Sequence, residues 1–367
     1  MHGPCAMDAR RDGEHSKGRA IAPASTDFQA RGMALPHTAA WIAARTGMTL
    51  CYGLAMLKTL LLVSFLLATP GIAAEWRYTD GAGKSVVLDQ PPIRIIAHSS
   101  VAAALIPYGI RPVGILRDGP PSLDRSLQGL DLEDIPTVSK GWFDIDAEAV
   151  LNLNPDIIIT EYALAERTYQ GGIAEGAMAE RLQSIAPTIG IARTGSIMGM
   201  LDAYRDFAQS LGADTQTSAL VADRAALEAA ITALKSAAAA RPDLTLMAIS
   251  PGSSGPSIAI PSDFGELADF AGWGVHLVSP EVTPGTSYLT ISWENAALYP
   301  ADILLLDDRW ETSPFETIRA NPIGQRLPAV IAGQLGDWPA EWIRSPAVYA
   351  EQIDKLTALI ARSHTLH

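Results

Sequence analysis

The sequence predicts an α/β protein of two similar lobes with mainly parallel sheets, joined by one long inter-lobe helix and separated by a ligand cleft. Three observations predict this class. Short apolar strands alternate with helices, which is typical of parallel sheets with helical crossovers. The segment 213–240 consists almost entirely of helix-forming residues. The succession of helix, Pro, Asp and buried strand occurs in each half, as NLNPDIIIT and as ALYPADILLLDD.

The segment 56–74 has the three parts of a secretion signal. Lys58 supplies a positive charge, an apolar run follows, and Ala73-Ala74 provide a small-residue cleavage site after Pro70-Gly71. The apolar run is shorter than the about 20 residues that a membrane span needs. We therefore predict a signal peptide over 56–74. Residues 1–55 show no sustained periodicity, and we interpret them as an upstream extension that precedes a true start at Met56.

The composition of the remaining chain narrows its class. From Glu75 about 290 residues remain, enough for two lobes. Both cysteines, Cys5 and Cys51, lie upstream, which excludes disulfides, a thiol nucleophile and a lipid anchor at the cleavage point. The residues before Glu75 hold seven of the 27 Lys or Arg and four of the 40 Asp or Glu, so the rest carries a formal charge of −16. No basic cluster is present, which argues against nucleic-acid binding. We expect a soluble periplasmic monomer.

The first lobe is predicted over 75–212. A Gly-rich hairpin (YTDGAGKSVVL) comes first. Predicted strands and helices then alternate: strand 93–97, helix 101–108, strand 112–116, a helix from about 146, strand 157–160, and a helix and a strand within ERLQSIAPTIGIA.

The linker helix is predicted over 213–240, after a helical stretch from about 198 that stops at Gly212-Ala213. More than 20 residues at 1.5 Å each would extend roughly 30 Å. The second lobe, 241–367, resumes the alternation with the strand LTLMAIS, the helix in DFGELADFAGW and the helix–Pro–Asp–strand unit in ISWENAALYPADILLLDD.

Five segments in this order carry a resemblance: RIIAHSSVAAALIPYGIRPVGI, IDAEAVLNLNPDIIIT, the long helix, FGELADFAGW and ISWENAALYPADILLLDD. The chain resembles the periplasmic binding proteins of iron-siderophore, haem and cobalamin ABC importers, whose two lobes are joined by a rigid helix. Within that group it is most similar to the hydroxamate-siderophore binders. The resemblance implies a binding protein, not an enzyme, that captures a ferric siderophore and delivers it to an inner-membrane permease. Cobalamin, haem or another metal species remains the alternative cargo.

The ligand site is predicted where the strands of the two lobes end, because ligands of open α/β sheets bind outside the carboxyl ends of strands. Aromatic residues at these edges predict a broad cleft for a bulky chelate, although for any single aromatic the alternative is core packing. The candidate ligand-binding residues are His98, Ser99, Trp142, Phe143, Tyr162, Tyr288, Arg309, Trp310 and Trp338.

The same edges argue against a protein-built metal site and against an anionic cargo. The histidines do not cluster, so we expect no metal ligands and no cofactor, with iron held only through its chelator. Lys140 and Arg309 face an excess of acidic residues, which favours a neutral or cationic ferric hydroxamate over a trianionic catecholate. Arg309 would donate to hydroxamate oxygens; its alternative is a surface salt bridge with Asp308 or Glu311.

Two further features concern catalysis and delivery. The chain has no GxSxG or HExxH motif and no phosphate-binding glycine loop, and PGSSGPS (251–257) has the composition of an ordinary turn. The resemblance implies one exposed glutamate per lobe that meets the permease, and these fall on Glu180 and Glu266. Each stands near the start of a helix, where the helix dipole alone also favours a glutamate.

Overall fold

The computed structural model describes residues 75–119, 124–141, 144–174, 176–282 and 286–367, all within one compact unit, Ile72–His367. The predicted signal peptide and upstream extension lie outside the described residues.

A hairpin opens the described chain, as the sequence predicts. β1 (Trp76–Thr79) and β2 (Ser85–Leu88) pair antiparallel. The turn is held by Asp80, whose carboxylate accepts the backbone N–H groups of Ala82 (3.0 Å) and Lys84 (2.8 Å). The Tyr169 hydroxyl donates to the same carboxylate over 2.8 Å, so the hairpin is tied to the first lobe.

The first lobe contains a sheet whose parallel strands run in the order β4, β3, β5, β7, with β6 antiparallel to the end of β5. Its strands are β3 (Ile95–His98), β4 (Gly114–Leu116), β5 (Ile157–Ala163), β6 (Thr168–Tyr169) and β7 (Thr188–Arg193). Its helices are α1 (Ser99–Leu105), α2 (Ala147–Asn152), α3 (Ala177–Ile185) and α4 (Ile197–Ser210).

The long helix α5 (Ser218–Ala240) has 23 residues. It begins five residues later than predicted, because Asp214 and Thr217 use their side chains for turn and cap bonds. The Asp214 carboxylate accepts the N–H of Gln216 over 2.8 Å, and the Thr217 hydroxyl accepts that of Leu220 over 3.4 Å. Such local bonds favour caps and turns over helix interiors.

The second lobe repeats the parallel core of the first, in the order β10, β8, β12, β13. It adds β9, which is antiparallel to β8, and β11, which is antiparallel to β9. Its strands are β8 (Thr245–Pro251), β9 (Pro256–Ala259), β10 (His276–Leu277), β11 (Tyr288–Thr290), β12 (Ile303–Asp307) and β13 (Leu335–Trp338). Its helices are α6 (Gly265–Gly272), α7 (Pro314–Ala320), α8 (Pro328–Ile331) and α9 (Pro346–Arg362).

The repeated Pro–Asp unit performs the same task in both lobes. In the first lobe, Asp156 accepts the backbone N–H groups of Ile93 (2.9 Å) and Arg94 (2.8 Å), just before β3. In the second lobe, Asp302 accepts the N–H of Thr245 at the start of β8, over 2.8 Å. Each aspartate therefore fixes the beginning of its lobe's first parallel strand, which confirms the predicted likeness of the two halves.

Two predicted helices are shorter or tighter than the sequence indicates. The first ends as a 3₁₀ turn, Ile106–Tyr108, where Pro107 lacks an N–H. The segment Trp293–Leu298 is a 3₁₀ helix, and it ends before Tyr299, where Pro300 disfavours helical geometry. In the part of the chain that the structure describes, no helix has the length and apolarity to cross a bilayer.

Candidate functional site

A cavity of about 500 Å³ lies between the lobes, at the carboxyl ends of the parallel strands. Both lobes line it. The first contributes His98, Ser100, Asp118, Asp124, Ser126, Glu161, Glu166, Gln170 and Arg193, and the second contributes Arg309, Trp310, Glu341, Trp342 and Arg344.

The first-lobe wall is organised by His98, the last residue of β3. Its Nδ1 lies 2.8 Å from the Ser100 hydroxyl and its Nε2 lies 2.7 Å from an Asp118 carboxylate oxygen. Burial opposes protonation of this imidazole, but the carboxylates of Asp118, Glu161 and Asp124 together outweigh it and raise the pKa of His98 above its usual value. A Cβ on Gly171 would lie 2.5 Å from the His98 ring, so only glycine allows this close approach.

Ser100, His98 and Asp118 are the residue types of a hydrolase triad. The arrangement does not present a nucleophile, however, because Ser100 is only 4 % exposed and His98 is 2 % exposed. We interpret the three residues as a hydrogen-bonded chain that holds Asp118 at the cleft surface.

The floor of the cleft is an ion pair that joins the lobes. Glu161 of β5 receives a hydrogen bond from Nη2 of Arg344 over 3.1 Å, and the Arg344 Nε lies 2.8 Å from the other carboxylate oxygen. The Tyr204 hydroxyl also donates to Glu161. Burial acts to raise the pKa of Glu161, but the guanidinium groups of Arg344 and Arg193 lower it overall, which keeps the carboxylate ionised.

Two more ion pairs connect the lobes. Arg193 at the end of β7 lies 2.9 Å from Glu341. Arg125 of the first lobe lies 2.6 Å from Asp308 of the second, and its guanidinium stands 6.0 Å from the ring of Trp342. The residues next to Arg125 and next to Asp308 line the cavity on its two sides, so this ion pair crosses the cleft.

The second-lobe wall carries Arg309 and Trp310, which follow β12. Arg309 is fixed by Asp307, with Nε 2.9 Å and Nη2 2.8 Å from the two carboxylate oxygens, and it donates to the Tyr288 hydroxyl over 2.5 Å. The alternative prediction, a surface salt bridge of Arg309 with Asp308 or Glu311, is therefore wrong. Trp310 is 61 % exposed and anchored by its indole N–H, which donates to Ser250 over 2.9 Å.

Sequence and structure comparisons identify the family. The profile described as periplasmic binding protein matches residues 119–342. The chain belongs to this family. A comparison with curated protein sequences found no match.

Solved structures with the same architecture include siderophore binders. The ferric-siderophore receptor protein DesE from Streptomyces coelicolor is similar at 26 % identity and TM-score 0.73, over 80 % of this chain and 100 % of that chain. FhuD2 from Staphylococcus aureus with bound ferrioxamine B shares the fold at 15 % identity and TM-score 0.53, over 73 % and 98 %. The catecholate-siderophore binding protein VctP from Vibrio cholerae does so at 17 % and 0.55, over 78 % and 99 %.

In this periplasmic binding protein, the cleft brings together three of the sequence-predicted residues: His98, Arg309 and Trp310. Tyr288 is half-buried behind Arg309. Trp142 and Phe143 lie outside the described residues.

Three other candidates lie elsewhere. Ser99 is 1 % exposed within α1. Tyr162 packs against Tyr169, with ring centroids 5.0 Å apart. Trp338 is 1 % exposed and stacks edge-on against Phe264 at 4.9 Å, so it is a core residue of the second lobe and not a cleft wall.

The two glutamates predicted to be exposed differ. Glu180 is exposed in the first turn of α3. Glu266 is not: it is 4 % exposed and accepts the indole N–H of Trp338 over 2.7 Å. The prediction of an exposed Glu266 is wrong, because the N-terminus of α6 packs beneath Trp338.

Several cleft residues were not predicted as site residues, among them Asp118, Glu161, Arg193, Glu341, Trp342 and Arg344. The sequence could have identified two of them as site residues, because Glu161 follows a predicted strand and Trp342 stands in a polar, Trp-rich loop. Arg344 carried no such signal, since its partner Glu161 is 183 positions away. Among the described residues, no group of three or more His, Cys, Asp or Glu side chains is placed to hold a metal ion.

Proposed function

We propose that this binding protein is exported to the periplasm, captures a ferric siderophore in the interlobe cleft, and delivers it to the permease of an ABC importer. Membership of the periplasmic binding protein family and the similarity to DesE, described as a ferric-siderophore receptor, support this proposal. The proposed role needs no catalysis and no resident cofactor, since iron arrives within its chelator.

The size and surface of the cleft suit such a cargo. A cavity of about 500 Å³ is within the range of small-molecule sites, about 300–1,000 Å³. Trp310 and Trp342 provide flat apolar surface at its second-lobe side, and rings of this kind pack against the organic shell of a chelate.

The charge balance of the cleft is the observation that favours a hydroxamate. Each arginine that lines the cavity already has an acidic partner: Arg193 has Glu341, Arg309 has Asp307, and Arg344 has Glu161. The described lining also includes Asp118 and the exposed Glu166. A trianionic catecholate complex would meet compensated cations and further carboxylates, whereas a neutral or cationic ferric hydroxamate would not be repelled.

Arg309 is the residue that we propose to contact the chelate. Asp307 holds its Nε and Nη2 edge, and in the hydrogen bonds of the described residues Nη1 is not used. A guanidinium fixed in this way can donate its remaining N–H groups to hydroxamate oxygens with little loss of side-chain entropy.

The test is a tryptophan-fluorescence titration with a ferric trihydroxamate such as ferrioxamine B, a ferric tris-catecholate, haem and cobalamin, with iron-free chelator as control. We expect saturable quenching by the ferric trihydroxamate and at least roughly 100-fold weaker binding of the catecholate, a difference of about 2.7 kcal/mol. Preference for the catecholate would overturn the hydroxamate assignment. Preference for haem or cobalamin would replace the siderophore as cargo.

A further inference from the structure

A second cavity, of about 290 Å³, lies within the second lobe between α6, β13 and α9. Among the residues that the structure describes, it shares no lining residue with the interlobe cleft. Its walls are mainly apolar and include Phe270, Leu305, Phe315, Leu335, Ile343 and Leu359.

Two carboxyl groups line this cavity: that of Asp337, which is exposed, and that of Glu266, which is buried. Glu266 is 4 % exposed, and one of its oxygens accepts the Trp338 indole N–H over 2.7 Å. Among the described residues, no other side chain donates a hydrogen bond to it. A buried carboxylate whose donors, the Trp338 indole and its own backbone N–H, are both neutral is poorly compensated, because hydration is lost and no paired cation replaces it.

The surrounding charges do not supply that cation. Burial, with a smaller contribution from the Glu341 carboxylate, raises the pKa of Glu266 to about 7, because its own backbone N–H, Trp338 and Arg193 oppose this only in part. Lys355 and Arg362 line the cavity but are exposed side chains of α9, and Lys355 pairs with Glu351 over 2.7 Å. The buried group therefore lacks a close positive partner.

We propose that this cavity is a second small-molecule site, which binds a primary alkylamine with its ammonium group at Glu266 and its alkyl chain along the apolar walls. The ammonium supplies the charge and the N–H donors that the carboxylate lacks, and the chain replaces water against the aromatic and aliphatic side chains.

The probes are butan-1-amine, pentan-1-amine and hexan-1-amine, titrated at about pH 8 against the full-length binding protein. Binding is followed by the indole N–H resonances in NMR spectra, assigned by single Trp→Phe variants. We expect a saturable shift at Trp338 and an affinity that rises about fourfold per added methylene. Hexan-1-ol, which lacks the charge, should bind at least about tenfold more weakly than hexan-1-amine.

Variants separate the role of the carboxyl from that of the cavity. Glu266→Gln should remove the preference for the amine over the alcohol. Ala358→Phe, at an exposed position of α9 that lines the cavity, should abolish binding of both, whereas Ala361→Phe, exposed on the same helix but not lining it, should bind as the native chain does.

The proposal is overturned if Glu266→Gln keeps the preference for the amine, if Ala358→Phe still binds hexan-1-amine, or if the shifts do not saturate. It is also overturned if a saturating ferric trihydroxamate displaces the amine, because that would place the amine in the interlobe cleft. The amine titrations would still test the second cavity if the protein bound no siderophore, because the described linings of the two cavities are separate.

Discussion

The carboxylate of Glu161 lies 2.8 Å from the Nε of Arg344, and this buried ion pair joins the two lobes beneath the cleft. The two side chains are 3 % and 5 % exposed. Removing one charge would leave the other buried with weaker compensation, from Arg193 for Glu161 and from Glu341 for Arg344, which costs more than replacing both.

We expect Glu161→Gln or Arg344→Met alone to lower the free energy of unfolding by about 3–5 kcal/mol, and the double variant to recover most of that loss. Urea denaturation followed by circular dichroism measures the free energy of unfolding of the single and the double variants. Glu351→Gln is the matched control, because its pair with Lys355 has side chains that are 64 % and 53 % exposed, and it should cost less than about 1 kcal/mol. Equal losses in the single and double variants would contradict the pairing argument.

The ion pair between Arg125 and Asp308 crosses the cleft, and we expect it to break before a bulky chelate can pass. Asp308→Asn should therefore increase both the association and the dissociation rate of a ferric trihydroxamate, each by up to about tenfold, which corresponds to about 1.4 kcal/mol. Stopped-flow fluorescence measures these rates. Arg111→Gln, which breaks the exposed pair with Asp131, should change neither rate. Unchanged rates in Asp308→Asn would show that ligand passes without opening this pair.

Two tryptophans in similar sequence contexts should respond oppositely to truncation. Trp310→Ala should weaken siderophore binding by about 0.5–1.5 kcal/mol and leave the melting temperature nearly unchanged, because the ring is 61 % exposed in the cleft. Trp338→Ala should lower stability by about 3–5 kcal/mol, because the ring is 1 % exposed in the core. Calorimetric titration and thermal unfolding distinguish the two effects. A large stability loss in Trp310→Ala would mean that this side chain is structural.

Glu266 should make stability depend on pH. Burial raises its pKa from the ordinary 4.5 to about 7, so the folded state holds this proton more tightly than the unfolded state. Ionisation therefore costs stability above about pH 7, on the order of 3 kcal/mol, and the cost disappears as the pH falls to about 4.5. Relative to the native chain, Glu266→Gln should be more stable at pH 8 and similar at pH 4.5 by urea unfolding. A difference that stays constant across this range would argue against a buried, proton-binding carboxyl.

Glu180 remains the candidate for contact with the proposed permease, since it is exposed at the start of α3. Glu180→Arg should leave siderophore affinity unchanged and reduce uptake through the cognate transporter at least roughly tenfold, as expected for loss of a charge pair across an interface. Glu133→Arg, an exposed first-lobe glutamate, is the matched control and should transport normally. Normal uptake with Glu180→Arg would remove this residue from the docking surface.

Much of the architecture was accessible from local sequence. The run Ile157–Thr160 after Asn154-Pro155 predicted a buried strand, and the repeated Pro–Asp unit predicted the likeness of the lobes. These features depend on residues close in the chain, whose propensities and periodicity act locally. The rule that ligands bind at the carboxyl ends of strands was enough to place His98, Arg309 and Trp310 at the cleft.

The tertiary structure alone decided which side chains at those edges face the ligand. Trp310 follows β12 and Trp338 ends β13, yet among the described residues Phe264 and Tyr288 pack against only Trp338. Glu180 and Glu266 both stand in the first turn of a helix, yet only Glu266 lies beneath a tryptophan. Arg344 meets Glu161 across 183 positions of chain. Burial and pairing of this kind depend on surfaces supplied by distant segments, and no local pattern contains them.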